Sequence, residues 1–310
     1  MSKILLWLTS QAAAWLFFLL FVILFVFIMA GRILPKSDGQ MVFALTQGTD
    51  SELYLLDIDR NLAHNITYQG GLNWMPVWSP DGGQIAFMSN RDGNDEIYLM
   101  SADGANIHRL TENSAGDYVA AWSPDGRRIA FESNRDNNME IYVMDAQGGN
   151  VHNITNYPAN DLSPAWSPDG QSIVFASDRD GMFDLYEMQV DGTEIRRLTQ
   201  DYGFESEPVW SPDGRRIAFM SNLTGDNEIY TMNADGSNIR NITHLRSDDA
   251  YPAWSPNGRF IAFASNRDDG YEIYVMNVDG GDTRRLTDYH GDARMPIWQP
   301  SICVLGVICV

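Results

Sequence analysis

Six tryptophans, Trp78, Trp122, Trp166, Trp210, Trp254 and Trp298, each stand directly before Ser-Pro or Gln-Pro, and each lies 44 residues from the next. Thr67, Thr111, Thr155, Thr199, Thr243 and Thr287 recur at the same interval. A constant period in the forties with several short apolar runs per period is what a four-stranded propeller blade leaves in a sequence, because each blade buries its faces only against its neighbours. Six copies of each marker predict six blades. Nothing after Gly31 has helical periodicity.

Turn chemistry divides each unit into strands. "PVW" is followed by the turn "SPDG", in which proline presets φ and glycine takes the left-handed position. Then come "IAFMS", the loop "NRDGND", "EIYLM", the turn "ADG" and "IHRLT". Ahead of the first tryptophan, "MVFAL", "ELYLLD" and "AHNIT" match the second, third and fourth strands of a unit, while the late "MPIW" matches a first strand. Pairing that late strand with the early three closes the ring without an open sheet edge. The sixth blade is therefore a hybrid of residues near 41–67 and 294–298. The tail "LGVICV" falls in register with a further second strand.

From Ile4 to Gly31 there is no charged residue. A bilayer core takes about 20 apolar residues, more than the apolar core of a cleaved signal. The segment is expected to be an uncleaved single-pass anchor, with the acidic domain that follows on the extracytoplasmic side, periplasmic or cell-surface. The expected organisation is thus a transmembrane signal anchor at 1–31, a linker at 32–40, an all-β six-bladed propeller of four-stranded blades at 41–300, closed by the hybrid N/C-terminal blade, and an apolar tail at 301–310. Cys303 and Cys309 are the only cysteines. On a single extended strand they would lie about 20 Å apart, too far for a bridge.

With 41 Asp plus Glu against 21 Lys plus Arg, the formal charge is -20. Such a field repels nucleic acid and attracts basic peptides, basic protein patches and divalent cations.

The units "WSPDGRRIAFESNRDNNMEIYVMDAQGG" and "WSPNGRFIAFASNRDDGYEIYVMNVDGG" resemble the TolB-type, WD40-like repeat (PD40), which also builds the propellers of prolyl-oligopeptidase relatives. The likeness covers about residues 41–300 and recurs in six registers. TolB proteins carry an α/β domain before the propeller; here the apolar segment and a short linker stand in its place. The resemblance implies the fold; the function has to be sought in the residues.

Repetition in every blade marks packing, so the tryptophan column and the tyrosine column, Tyr54, Tyr98, Tyr142, Tyr186, Tyr230 and Tyr274, are expected in the core rather than as sugar platforms. His64, His108 and His152 share one position on the outer strands of successive blades, about 20 Å apart, which rules out a shared zinc. The sequons at Asn65, Asn153 and Asn241 fall on outer strands, leaving Asn222 as the loop acceptor. The "SPDG" serines have no His-Asp pair in register, and no phosphate loop or HExxH occurs. Catalysis is not expected, the alternative to a binding scaffold being a cation-binding sensor or an enzyme accessory module related to oligopeptidase propellers.

At the channel mouth, Asp117, Asp161, Glu205 and Asp249 occupy the position five residues before the tryptophans, with Asn73 and Ala293 in the other copies. Two readings apply to this mouth: loop-capping carboxylates, including those of the Arg-Asp pairs at 91–92, 135–136, 179–180 and 267–268, or an acidic funnel for a basic peptide or cation. Calcium takes six to eight oxygens at about 2.4 Å, so a calcium site would have to be local to one loop, and no cofactor is otherwise expected. Binding surfaces need individuality, and the residues peculiar to single copies on this face are Trp74, Tyr118, Tyr202, Phe204, Arg246, Tyr251, His290 and Arg294. Aromatics and arginines are the types enriched in interface hot spots, which points to a binding scaffold for a protein or peptide.

Overall fold

The computed structural model describes residues 39–310 apart from 69, 201, 202, 302, 305–307 and 310. The expected anchor at 1–31 and nearly all of the linker lie outside the described residues. Among those described, no helix is long and apolar enough to cross a membrane.

The chain enters on β1 (Gln40–Gln47), β2 (Asp50–Asp57) and β3 (Leu62–Asn65). Five complete blades follow: β4 (Asn73–Trp78), β5 (Gln84–Ser89), β6 (Glu96–Ser101) and β7 (His108–Arg109); β8 (Asp117–Trp122), β9 (Arg128–Ser133), β10 (Glu140–Asp145) and β11 (His152–Asn153); β12 (Asp161–Trp166), β13 (Ser172–Ser177), β14 (Asp184–Gln189) and β15 (Arg196–Arg197). The last two are β16 (Glu205–Trp210), β17 (Arg216–Ser221), β18 (Glu228–Asn233) and β19 (Arg240–Asn241), then β20 (Asp249–Trp254), β21 (Phe260–Ser265), β22 (Glu272–Asn277) and β23 (Arg284–Arg285). β24 (Asp292–Trp298) returns to pair antiparallel with β1, giving the sheet β24-β1-β2-β3. The ring is closed by the hybrid blade that the frame of the repeat requires.

Blade cohesion comes from two columns of aromatics. Phe43, Phe87, Phe131, Phe175, Phe219 and Phe263 are sealed in the sheets, each against the tyrosine opposite it, with ring centroids 5.7–6.0 Å apart. The repeating tryptophans are buried or half-buried between blades. Three of them cross the seam with a hydrogen bond: Trp166 Nε1 donates to the Ala121 carbonyl, Trp254 Nε1 to Val209 and Trp298 Nε1 to Ala253. Each donor therefore reaches the inner strand of the preceding blade. Burying an indole of about 200 Å² contributes at most about 5 kcal/mol, so the column is a blade-to-blade adhesive and not a ligand platform.

In every "SPDG"-type turn the serine or its neighbour is occupied structurally. Ser79 Oγ donates to Asp81 Oδ1 at 2.6 Å and accepts from the Gln84 amide, and the pattern recurs at Ser123, Ser167, Ser211 and Ser255.

The tail corrects one expectation. β25 (Cys303–Val304) and β26 (Ile308–Cys309) pair only with each other, with Cys303 opposite Cys309. The two run antiparallel, so the separation reckoned along one extended strand does not apply, and among the described residues neither joins a blade.

Candidate functional site

The loops from second to third strands and the loops between blades open on one face, tied by a repeating amide contact. Asn90 Oδ1 accepts from the Leu72 amide, Asn134 from Gly116, Asp178 from Asn160, Asn222 from Phe204 and Asn266 from Asp248, all at 2.7–2.9 Å.

The acidic column just inside this face is not an open funnel. Asp117, Asp161 and Asp249 are fully buried and Glu205 is 1% exposed. The arginine that follows the second strand folds back over its own blade: Arg135 reaches Asp117 at 3.0 Å, Arg179 reaches Asp161 at 2.9 Å and Arg267 reaches Asp249 at 3.1 Å. In the copy with Asn73, Arg91 Nη2 donates to the amide oxygen at 2.7 Å. The guanidinium Nε donates to the serine ending the second strand, Ser89, Ser133, Ser177 or Ser265, and its plane lies over the tyrosine of the third strand. The blade containing β16 has Leu223 in place of the arginine, and there Ser221 Oγ donates to Glu205 at 3.0 Å.

The aspartates beside those arginines are not loop caps either. Tyr98, Tyr142, Tyr186 and Tyr274 donate their hydroxyls to Asp92, Asp136, Asp180 and Asp268. Burial first, then the aspartate acceptor, pushes the Tyr98 hydroxyl up to about 12. A third clasp holds the closing threonines: Thr111 Oγ1 donates to Glu96 at 2.6 Å, Thr155 to Glu140, Thr199 to Asp184 and Thr287 to Glu272, with Arg109, Arg197 and Arg285 on three of these carboxylates. Repeated carboxylates are thus ion-paired or hydrogen-bonded within their own blades, as a buried charge requires.

What is left for recognition is the axis. In each of the six inner strands the register slips by one residue against the second strand. Such bulges re-aim side chains. Met75, Ser163, Glu207, Tyr251 and Met295 sit at the slip with φ between 52° and 56°. This conformation is costly for residues other than glycine and is concentrated at functional sites. These five, with the prolines that follow each of them and Ala120, line a central cavity of about 170 Å³.

The cavity has two unlike sides. Trp74, Met75 and Tyr251 pack against the cluster that holds Met295, and the Met75 amide points at the Met295 sulfur at 3.3 Å. Opposite in blade order Ser163 and Glu207 line it, with Glu132 of β9 bonded to the Ser163 backbone. Glu132 is 5% exposed and accepts the Ser163 amide at 2.5 Å. Burial pushes Glu132 up to about 8 and Glu207 up to about 7, and the charge of Glu207 adds to the rise at Glu132. Tyr251 is pushed up to about 12, chiefly by burial and then by Glu207.

Of the residues singled out in the sequence, Tyr251 lines this cavity and Trp74 backs it, with Trp74 Nε1 buried and unpartnered. Tyr118 is half-buried, opposite Glu132 in the β8–β9 register, and burial raises its hydroxyl. Arg294 Nη2 donates to Asp292 at 3.0 Å and its guanidinium lies 3.6 Å from the Tyr271 ring centre. Phe204 packs at a tilt against Phe183, ring centroids 5.0 Å apart, between two loops, Arg246 and His290 are exposed in loops further round the ring, and Tyr202 lies outside the described residues. The sequence reading missed Glu132 and Glu207. The signal was available: Glu132 stands in a column otherwise filled by Ala44, Met88, Ala176, Met220 and Ala264, and Glu207 in one with Met75, Val119, Ser163, Tyr251 and Met295.

Among the described residues no group of three or more His, Cys, Asp or Glu is placed to hold a metal ion, and His64, His108 and His152 lie on three separate outer strands.

The TolB beta propeller domain family matches residues 29–120, 112–205 and 202–305. No curated protein matches the chain. Among solved structures, TolB from Acinetobacter baumannii is 24% identical with a TM-score of 0.76, over 89% of this chain and 70% of that one. A putative TolB from Agrobacterium tumefaciens is 27% identical with a TM-score of 0.68, over 82% of this chain and 91% of that one. A chain of a nidogen/laminin complex shares the fold alone, at 14% identity and a TM-score of 0.68, over 85% of this chain and 99% of that one. Six four-stranded blades, and family matches that run without a break from residue 29 to residue 305, show that this chain belongs to the TolB beta propeller domain family.

Proposed function

We propose that this chain is a membrane-anchored, extracytoplasmic propeller that acts as a binding scaffold for a protein or peptide, engaged through the loop face and the mouth of the axial channel. One observation carries the reading. The repeated polar side chains are consumed in clasps within blades, whereas the residues around the axis differ from blade to blade and form a cavity with an apolar side and a carboxylate side. Concave, mostly apolar pockets with a few convergent polar groups are where ligands bind. Tyr251 and Trp74 stand at the axis end of this surface, and Tyr118, Phe204, Arg246, His290 and Arg294 extend it outward. The anchor rests on the uncharged run from Ile4 to Gly31.

The test is capture of the partner by the full-length chain and by Trp74→Ala/Phe204→Ala, together with protease protection of intact cells. The scaffold reading requires the double variant to lose most of the captured partner. Undiminished capture would remove it, and a propeller protected in intact cells would remove the extracytoplasmic placement.

A further inference from the structure

Two carboxylates of this ring are handled unlike the repeated ones. Asp117, Asp161 and Asp249 have arginines; Glu96, Glu140, Asp184 and Glu272 have threonine hydroxyls. Glu207 has neither a hydrogen bond nor an ion pair among the described residues, and Glu132, nineteen-twentieths buried, has only the Ser163 amide on one of its oxygens. The two come from different blades, β9 and β16, and they are close enough for the charge of one to raise the other. An uncompensated carboxylate facing an otherwise apolar cavity is a standing cost to the fold, and a cation brought from outside removes it.

We propose that the axial channel receives a lysine side chain of the partner, its alkyl stem lying on Met75, Met295, Pro76 and Pro252 and its ammonium between Glu132 and Glu207. This rests on the scaffold reading and adds the residue that enters. Three features select a primary ammonium. The stem of a lysine buries along apolar surface while its head stays charged, which matches a cavity with a methionine side and a glutamate side. Its three donors radiate from one point and so can serve two carboxylates on separate blades, where a guanidinium fork fits one carboxylate edge-on. Calcium would need six to eight oxygens, and no grouping of three candidate ligands is present among the described residues. The net charge of -20 favours the approach of any basic segment.

Entry of the ammonium expels protons, because both carboxyls are raised by burial and the cation favours their charged forms. Tyr118 on β8 faces Glu132 and Tyr251 on β20 faces Glu207; beyond them stand Asp95 and Asp117 beside Tyr118, and Arg294 on β24 and Tyr271 beside Tyr251. Arg294 is committed to Asp292.

Isothermal titration of the full-length chain with acetyl-Gly-Lys-Gly-amide, and with the same peptide acetylated at Nε, in two buffers of different ionisation enthalpy near pH 7, tests this. The free-amine peptide is expected to bind with proton release, and the Nε-acetyl peptide to bind at least about tenfold more weakly. Glu207→Gln and Glu132→Gln should each cost about tenfold, and the double variant should release no protons. Equal binding of the two peptides to the natural chain overturns the proposal without recourse to any variant, as does retention of affinity within about twofold in both glutamine variants, or displacement of the amine peptide by calcium. If the peptide result is negative while Trp74→Ala/Phe204→Ala still abolishes partner capture, the lysine assignment falls and the scaffold reading stands. If the amine peptide binds as expected while that double variant captures its partner undiminished, the lysine site stands and the loop-face scaffold falls.

Discussion

Arg179→Ala should be among the most destabilising single substitutions on the loop face, and the geometry of its contacts sets the size of the loss. Arg179 is 11% exposed and Asp161 not at all; the pair is 2.9 Å apart, Arg179 Nε donates to Ser177 Oγ at 2.8 Å, and the guanidinium lies 4.8 Å from the Tyr186 ring centre. Truncation leaves Asp161 buried with Ser177 alone, and breaking a buried pair from one side costs about 3–5 kcal/mol. The exposed pair Arg60–Asp57, whose arginine is 78% exposed, provides the control: Arg60→Ala should cost at most about 1 kcal/mol. Urea unfolding followed by tryptophan fluorescence reads both, with midpoints compared rather than extrapolated values because a six-blade ring need not unfold in one step.

The same substitution has a pH signature. Burial already raises the Asp161 carboxyl above its ordinary value, with Ser177 and Arg179 working against that rise. Removing the arginine lets it climb further. A carboxyl whose folded value lies above its unfolded value binds its proton more tightly in the folded chain, so stability is greatest below the unfolded value and is lost as pH rises through the folded one. Arg179→Ala should therefore cost little at pH 4 and the full amount at pH 8, and Asp161→Asn in the same chain should recover at least about 2 kcal/mol at the higher pH. A loss below about 1 kcal/mol at pH 8, or an equal loss at both pH values, would refute the claim that these clasps are buried ion pairs.

The unpaired glutamates act in the same direction. With Glu132 near 8 and Glu207 near 7 in the folded chain, stability should decline between about pH 5 and pH 9 by a few kcal/mol, and Glu132→Gln/Glu207→Gln should flatten that decline in a melting series. In the blade lacking the arginine, Leu223→Arg with Glu205→Asp restores the repeated clasp; a rise in melting temperature of a few degrees is expected, and a fall would show that this loop is built on other terms. Gly203→Ala puts a methyl 2.5 Å from Glu205 Oε1 and 2.9 Å from Ser221 Oγ, so it should lower the urea midpoint and disturb the adjoining Phe204 surface. Trp254→Phe removes the bond to the Val209 carbonyl and part of the seam, and a loss of about 1–3 kcal/mol is expected.

The blade count and the hybrid closure are legible because each is written locally and repeated, so that one irregular copy is outvoted by five. The acidic column is not, because its partners lie 18 residues away, Asp117 with Arg135 and Asp161 with Arg179, across a hairpin whose two ends meet only once the loop face is built. Yet the pairing is written in the sequence as covariation between copies: arginine accompanies aspartate or asparagine, and the one leucine, Leu223, accompanies the one glutamate, Glu205. Cys303 and Cys309 show the complementary failure, since two two-residue strands are too short for their antiparallel pairing to show in the sequence.

Glu207 is hidden for a different reason. Whether a side chain on an inner strand faces the channel or the next blade depends on a one-residue slip, and the slip is occupied by methionine, serine, glutamate and tyrosine rather than by glycine, so nothing in the residue types announces the left-handed backbone there. A repeat that enforces this bulge in all six blades while leaving its side chain unspecified provides, at little cost to folding, a freely variable position, and in five of the blades its residue lines the axial cavity. Selection for binding can then act on that ring without disturbing the clasps, and for that reason Glu207, which no clasp engages, is found there, while Glu132 reaches it from β9 through the Ser163 amide.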